Sequence, residues 1–419
     1  MAPKAKETLV PSSPAKGRMG DLVAKLGKSF IGFTTAAEAT DNVRYVDVMN
    51  PVADLPSITL EYLLGAKGWL AGRICQERAT FSKGKSSLMY LMYAAAQKRT
   101  GAACLHIETE GAPSPADWIA SFGCDPRELW MKEEKSLEEC LADIDRFVNA
   151  FRSGIDGKPP FDPDMEVPLM IGVDSLSQLA KEENVEQDTA DMGKSVQPGY
   201  TAKIMREWFR RRTQRMYEQQ ACLFLTTHET AKIATGPAAF GGPQKTSVAQ
   251  EAIAINATYA YDLRVSKWKD NRTGDILGNE TTLTCFKNKW SGDKFGGAIR
   301  EAQIHLKVGH GFDLVHSDAE FLLHHANSPF AAKFGVFAPD KIPVRNSAGI
   351  KCPLLSDKTF KSEEEFVRAF YAHEDLLMTC REVLRLRGFG FAFESDWKNQ
   401  AAPEPETAEA PAGETKEEQ

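Results

Sequence analysis

Residues 79–86 read Ala79-Thr80-Phe81-Ser82-Lys83-Gly84-Lys85-Ser86, between a strand-like stretch, Arg73–Glu77, and a helix predicted over Lys85–Gln97. A loop that cradles phosphate needs backbone N–H groups wrapped around an anion, a glycine beside it, a lysine for the terminal phosphates and a hydroxyl for Mg²⁺. Gly84, Lys85 and Ser86 supply these, and Thr80, Phe81, Ser82, Lys83 and Ser87 complete the wrap. Ala79 stands where the strict pattern has glycine, so that end of the loop has to turn without a free positive φ. Strand, loop and helix in this order indicate an α/β fold whose site lies at the C-terminal ends of parallel strands.

Outward from the loop, strand-like and helix-like segments alternate from about 57 to 310, as expected for a central, mostly parallel twisted sheet. Ala103–Glu108 reads as a strand. Leu137, Cys140, Leu141, Ile144, Phe147, Val148 and Phe151 keep a 3.6-residue period and predict a helix ending at Gly154. Val167–Val173 is an almost wholly apolar run ending at Asp174, the place and chemistry of a carboxylate that holds a Mg²⁺-bound water beside such a loop; capping a helix is the plainer role for an Asp there. Tyr200–Gln219 is helical, Ala221–Thr227 is a buried strand, and 258–265, 281–287 and 300–308 look like further strands. Leu105–Glu110 ends in carboxylates, either of which could polarise a water, although exposed Glu at a strand end is common. Two connections, roughly 180–199 and 229–250, are long and irregular, which in a compact domain marks functional or mobile segments.

The net charge of −7 over 419 residues argues at first sight against nucleic acid. Its distribution reverses that. Residues 401–419 hold six Glu and one Lys, so this tail alone carries −5 of the total. Lys203–Arg215 carries six basic residues against Glu207, and residues 1–30 carry six against Glu7 and Asp21. The eight cysteines form no CxxC pair, and His305, His310 and His316 lack metal-ligand spacing, so neither a disulfide scaffold nor a zinc module is expected. No run approaches the 18 or so apolar residues of a membrane span, and Met1–Ser13 lacks a signal-peptide core. A soluble, cytoplasmic protein with no membrane partner is expected.

The domain reading is a flexible basic arm at 1–18, a helix–strand oligomerisation segment at 19–56 built on Met19, Leu22, Val23, Leu26 and the β-prone Ser29–Thr34, and a core at 57–313. A small helical or α+β domain at 314–398 follows, with a capping box at Ser362 and Glu365 and a helix stopped by Gly388, and then a disordered acidic tail at 399–419. Such a tail would compete with any other polyanion for the basic segments.

Six stretches, GWLAGRICQERATFSKGKSSL (68–88), CLHIETEGAPSP (104–115), PLMIGVDSLSQL (168–179), ACLFLTTHE (221–229), AFGGP (239–243) and CFKNK (285–289), together resemble the RecA-type recombinases in order and spacing, in a divergent, phage-like form. The similarity covers about 19–313. It implies a RecA-type P-loop ATPase core using ATP and Mg²⁺: Lys85 and Ser86 on the phosphates and metal, Asp174 supporting the metal, Glu110 activating water. His228 stands where the family has a γ-phosphate-sensing Gln. Lys287 and Lys289 match lysines that reach the next subunit's ATP; without the family match they read as solvated lysines. The loops at 181–199 and 229–250 match DNA-binding loops, the second with Phe240, Gly241, Gly242 and Lys245. An exposed Phe240 between Ala239 and Gly241 has no evident core role, whereas an apolar wedge at a base step has one. Lys203, Arg210 and Arg211 follow the first loop and would meet phosphates, or else form a solvated basic face. Trp118 reads as a core residue or a cover for adenine. The expected activity is a DNA-dependent ATPase that assembles head-to-tail on single-stranded DNA and exchanges strands with homologous duplex, with single-strand-binding or mediator proteins as further partners. The rivals are a hexameric RecA-fold helicase or repair ATPase, and a non-hydrolysing DNA-coating scaffold.

Overall fold

The computed structural model describes residues 45–386 except 48, 51–53, 67, 153–166, 186–198, 233–243, 271–272, 290–299 and 327–342. The basic arm, the segment at 19–44, Gly154, most of the first loop, Phe240, Gly241, Gly242, Gly388 and the acidic tail therefore lie outside the described residues.

A ten-stranded sheet organises the described chain. Its strands are β1 (Ile74–Ala79), β2 (Ala103–Glu108), β3 (Leu129–Glu133), β4 (Leu169–Asp174), β5 (Ala221–Lys232), β6 (Gln244–Ser247), β7 (Tyr259–Lys269), β8 (Ile276–Asn288), β9 (Arg300–Lys307) and β10 (Gly311–Asp313). Six run parallel in the order β7-β1-β5-β4-β2-β3. Beyond β7, strands β8, β9 and β10 add on antiparallel, and β6 folds back antiparallel on β5. The sheet is therefore mixed, with a parallel centre flanked by helices. Among the described residues no helix is long and apolar enough to cross a membrane.

Period 2 in the strands and 3.6 in the helices divides the core between the two faces. Leu105 and Ile107 of β2, Ile171 and Val173 of β4, and Leu223 and Leu225 of β5 cluster with Cys140, Leu141 and Ile144 of α3 (Leu137–Arg152) and with Met205, Phe209 and Met216 of α4 (Tyr200–Glu218). The opposite face receives α2 (Lys85–Thr100). Here Gly172 is a notch: a Cβ built on it would lie 2.0 Å from Tyr93 Oη and 2.7 Å from Met89 Sδ. Gly172→Ala should therefore push α2 off β4, at a cost of roughly 1–3 kcal/mol for overpacking. An unchanged thermal midpoint in that variant would show that the notch is slack.

Two polar segments are longer or more regular than their sequence suggests. The strands expected at 258–265 and 281–287 extend to Lys269 and back to Ile276, because pairing continues through Ser266↔Glu280 and Lys267↔Asn279 where neither face is apolar. The connection at 229–250 is not irregular throughout: Glu229–Lys232 pair with Gln244–Ser247, and α5 (Gln250–Asn256) starts before it ends. Backbone hydrogen bonds make this hairpin, so apolar patterning could not mark it.

After β10, α6 (Leu314–Ala326) is fastened to α1 (Ile58–Leu64) through a buried carboxylate. Asp318 Oδ1 accepts from Ser57 Oγ (3.0 Å), Thr59 N–H (3.1 Å) and Thr59 Oγ1 (2.6 Å), while Tyr371 of α7 (Glu363–Ala372) donates to Oδ2 at 3.2 Å. The last described helix is α8 (Glu374–Leu386). At the start of α7, Ser362 Oγ accepts from Glu365 N–H, and the Glu365 carboxylate takes the N–H of Lys361, not that of Ser362. Burial pushes the Asp318 carboxyl up to about 7, with its four donors pulling against that. An unfolded Asp titrates near about 4, so between these values the folded chain holds a proton that the unfolded chain has lost. This contribution to stability is full below about pH 4 and falls as pH rises through 7, by about 1.4 kcal/mol per pH unit. In Asp318→Asn, which keeps an acceptor for Ser57 and Thr59, the slope should vanish. The stability difference between wild type and variant should then shift in the variant's favour from pH 5 to 8; a constant difference would contradict this.

Candidate nucleotide site

The site lies at the C-terminal ends of β1, β2, β4 and β5. Ala79 remains within β1 and pairs with His228 of β5, so glycine's freedom is not needed there. The positive φ angles fall on Ser82 (55°) and Gly84 (84°). Gly84 caps α2 with no side-chain partner and no acidic residue in the first turn, which leaves the helix N-terminus open to an anion. Phe81, at the tip, is 78% exposed.

Lys85 is buried, and its Nζ donates to the Thr80 carbonyl at 3.1 Å. The same Nζ lies 3.5 Å from His228 Nδ1, and His228 Nε2 lies 2.8 Å from Glu110 Oε1. With an ammonium beside Nδ1 and a carboxylate beside Nε2, these partners suit a ring in which Nδ1 accepts and Nε2–H donates. The order is thus cation, imidazole, carboxylate. Ser86 Oγ donates to Asp174 Oδ2, and Thr226 Oγ1 donates to Asp174 Oδ1 at 2.6 Å. Burial lowers the Lys85 pKa, while Asp174, Glu110, Glu77 and Glu229 pull it back up; the net position is below that of an ordinary lysine. Directly behind, Glu77 of β1 is fully buried, and burial followed by the charge of Asp174 pushes its carboxyl well up.

A hydroxyl and a carboxylate at a helix N-terminus are hard oxygen donors, the set that suits Mg²⁺, and the adjacent lysine and free N–H groups suit a polyphosphate. The donor chemistry fits both groups.

The remaining residues singled out in the sequence lie elsewhere. Lys287 lies near the end of β8 and Lys289 just past it, towards the N-terminal ends of the parallel strands. Lys287 pairs with Ala260, which is level with Gln76, and Lys289 N–H bonds to the Thr258 carbonyl beside Ile74. At about 3.3 Å per residue of β1, Ala79 lies three residues, about 10 Å, from the level of Lys287 and five residues, about 16 Å, from that of Lys289. Burial and then the charge of Lys289 lower Lys287 to about 8, and Lys289 Nζ donates to the Ile255 carbonyl. Lys203, Arg210 and Arg211 are exposed on α4, which begins just after Gly199; Arg211 pairs with Glu207. Lys245 sits on β6 opposite Ala231. Trp118 is half-buried and packs edge-on against Phe122 at 5.0 Å. His316 does meet two carboxylates, with ligand atoms of His316, Glu320 and Glu363 within 4.8 Å of one another, but Arg345 bridges both carboxylates at 2.5 Å and supplies the counter-charge.

Sequence reasoning missed Thr226, Thr109 and Ser177. The signal was there: hydroxyls in and beside otherwise apolar strands have to find partners when buried. Thr226 serves Asp174, Ser177 Oγ accepts the His228 N–H at 2.8 Å, and Thr109 joins β2 to β4.

The RecA N-terminal domain description matches residues 40–313. The chain is 27% identical over 295 residues to Protein RecA of Corynebacterium urealyticum, covering 70% of each chain. It is 24% identical over 294 residues to Protein RecA of Laribacter hongkongensis, covering 70% of this chain and 72% of that one. With this match over well over half of its length, on a mixed sheet whose strands end in the candidate site, the chain belongs to the RecA family.

Proposed function

We propose that the protein is an ATP-dependent DNA recombinase of a phage-like branch of its family, which forms head-to-tail filaments on single-stranded DNA and exchanges strands with homologous duplex. The observation that carries this reading is His228. It lies within β5, bonded to Glu110 and next to Lys85, and the same strand runs on into the second long loop. A γ-phosphate held by Lys85 would compete with Glu110 for this imidazole, so the state of the nucleotide would bear directly on a loop that reaches towards DNA.

Lys85, the loop N–H groups and the N-terminus of α2 would hold the phosphates. Ser86 and Asp174 would hold Mg²⁺, which when bound supplies positive charge against the phosphate oxygens. Glu110, 42% exposed on its side chain, is open to a water and accepts its proton as general base. Lys287 and Lys289 lie about 10 and 16 Å along the strands from the level of their own Ala79, which supports action on the ATP of the adjoining subunit. Trp130, 64% exposed, and Met131 lie on β3 at the sheet edge, a surface that suits an added strand such as Ser29–Thr34 of a second copy. Phe240, Gly241, Gly242 and Lys245 with Lys203, Arg210 and Arg211 are the proposed DNA contacts.

The test is ATP hydrolysis with and without single-stranded DNA. Strong stimulation by DNA supports the reading. Binding to DNA with no turnover in either condition would favour a coating scaffold.

A further inference from the structure

The carboxylate of Glu110 is 42% exposed, yet the backbone that carries it is anchored on both sides by buried groups. On one side Glu108 Oε1 accepts the N–H of Glu110 at 2.7 Å. Glu108 is itself buried, and its Oε2 lies 3.7 Å from Nε2 of the fully buried His106. Tyr93, seated in the Gly172 notch, donates to the Leu105 carbonyl at 3.2 Å and meets His106 Nδ1 at 3.4 Å. Burial works against the Glu108 carboxylate, but His106 and the N–H groups of Glu110 and Thr109 outweigh it and hold the group below the ordinary glutamate range.

On the other side Thr109 makes a reciprocal clasp. Its Oγ1 donates to the Ser175 carbonyl at 2.7 Å and accepts the Ser175 N–H at 2.8 Å, while its own N–H donates to the Asp174 carbonyl at 2.8 Å. The strand end bearing Glu110 is thereby locked to the strand end bearing Asp174. The hydroxyl is buried, and both of its bonds go to Ser175, 66 residues away in sequence.

We propose that Glu108 and Thr109 are positioning residues for ATP hydrolysis, fixing Glu110 relative to Asp174 so that a water is held in line, and that they act on turnover and not on nucleotide affinity. The inference rests on Glu110 being the base. A displacement of about 1 Å at a reacting group can cost around 100-fold, so loss of one anchor should show in kcat.

The experiment measures DNA-stimulated ATPase of the full-length protein for Thr109→Val, Thr109→Ser, Glu108→Gln and Glu110→Gln, and for Thr109→Val combined with Glu110→Gln. Thr109→Val should lower kcat about 10- to 100-fold with KM for ATP within about twofold, and Thr109→Ser, which keeps the hydroxyl, should restore most of it. Glu108→Gln keeps an acceptor and should lose less. Combined with Glu110→Gln, Thr109→Val should add no further loss, since a base that is absent cannot be misplaced. Multiplying losses, failure of serine to rescue, or a raised KM with unchanged kcat would overturn the proposal while leaving Glu110 as the base. Full turnover in Glu110→Gln alone would remove the base and this proposal with it. If Thr109→Val does not fold, Glu108→Gln combined with Glu110→Gln decides in the same way.

Discussion

Lys85→Ala is expected to lower ATP turnover by about 100- to 1000-fold, the scale seen when a preorganised electrostatic donor is removed from a site. Lys85 is the buried cation of the loop, and Asp174, Glu110, Glu77 and Glu229 all act on it electrostatically. Its loss would leave those carboxylates facing the phosphates with no opposing charge. Lys83, two residues earlier and only partly buried, is the nearest other lysine in the loop. Alanine would also free His228 Nδ1, so the imidazole could adopt either tautomer and its bond to Glu110 would loosen. Nucleotide binding and turnover should therefore fall together, measured as the loss of both KM-saturable hydrolysis and equilibrium ATP binding. Undiminished turnover would remove the P-loop assignment altogether.

The parts of this arrangement differ in how far they could be read from the chain. The proposed phosphate loop is local: eight contiguous residues carry glycine, lysine and hydroxyl, and strand and helix signals flank them. Val167–Asp174 is local too, because a strand buried on both faces reads as an unbroken apolar run. The chain from Lys85 through His228 to Glu110 is not. It joins residues 143 and 118 positions apart, and no periodicity predicts that their side chains meet. The pin at Asp318 has the same character, with Ser57 lying 261 positions away. The hairpin of β7 and β8 outruns its hydrophobic pattern for another reason. Its outer half is mostly polar, held by backbone pairing, by side-chain bonds from Ser266 to Glu280 and from Lys267 to Asn279, and by Trp268 on His305 and His316, so apolar alternation does not mark it. Ala79 shows the converse error of a strict pattern: the motif asks for glycine, but here that position is ordinary strand and the strained turn falls at Ser82 and Gly84.

Glu110→Gln separates catalysis from binding. The amide keeps the length and shape of the side chain and still offers an oxygen to His228 Nε2–H, so the order of Lys85, His228 and residue 110 should persist. The backbone N–H of residue 110 remains bound by Glu108, and Thr109 still holds β2 to β4. What disappears is the proton acceptor. General bases contribute about 10²- to 10⁴-fold, and turnover should fall by that order while ATP binding stays within a few-fold of wild type. If bound ATP maintains the DNA-competent state, a variant that binds without hydrolysing should stay on single-stranded DNA longer, and its dissociation after dilution should slow in proportion to the lost turnover. The two readouts exclude different alternatives. A variant that loses ATP affinity with its turnover makes Glu110 a structural partner of His228, since a base contributes to the transition state and not to the ground-state complex. A variant that turns over normally moves the base elsewhere, and Glu108, buried beneath the same turn and already committed to a backbone N–H, would be poorly placed to take the role.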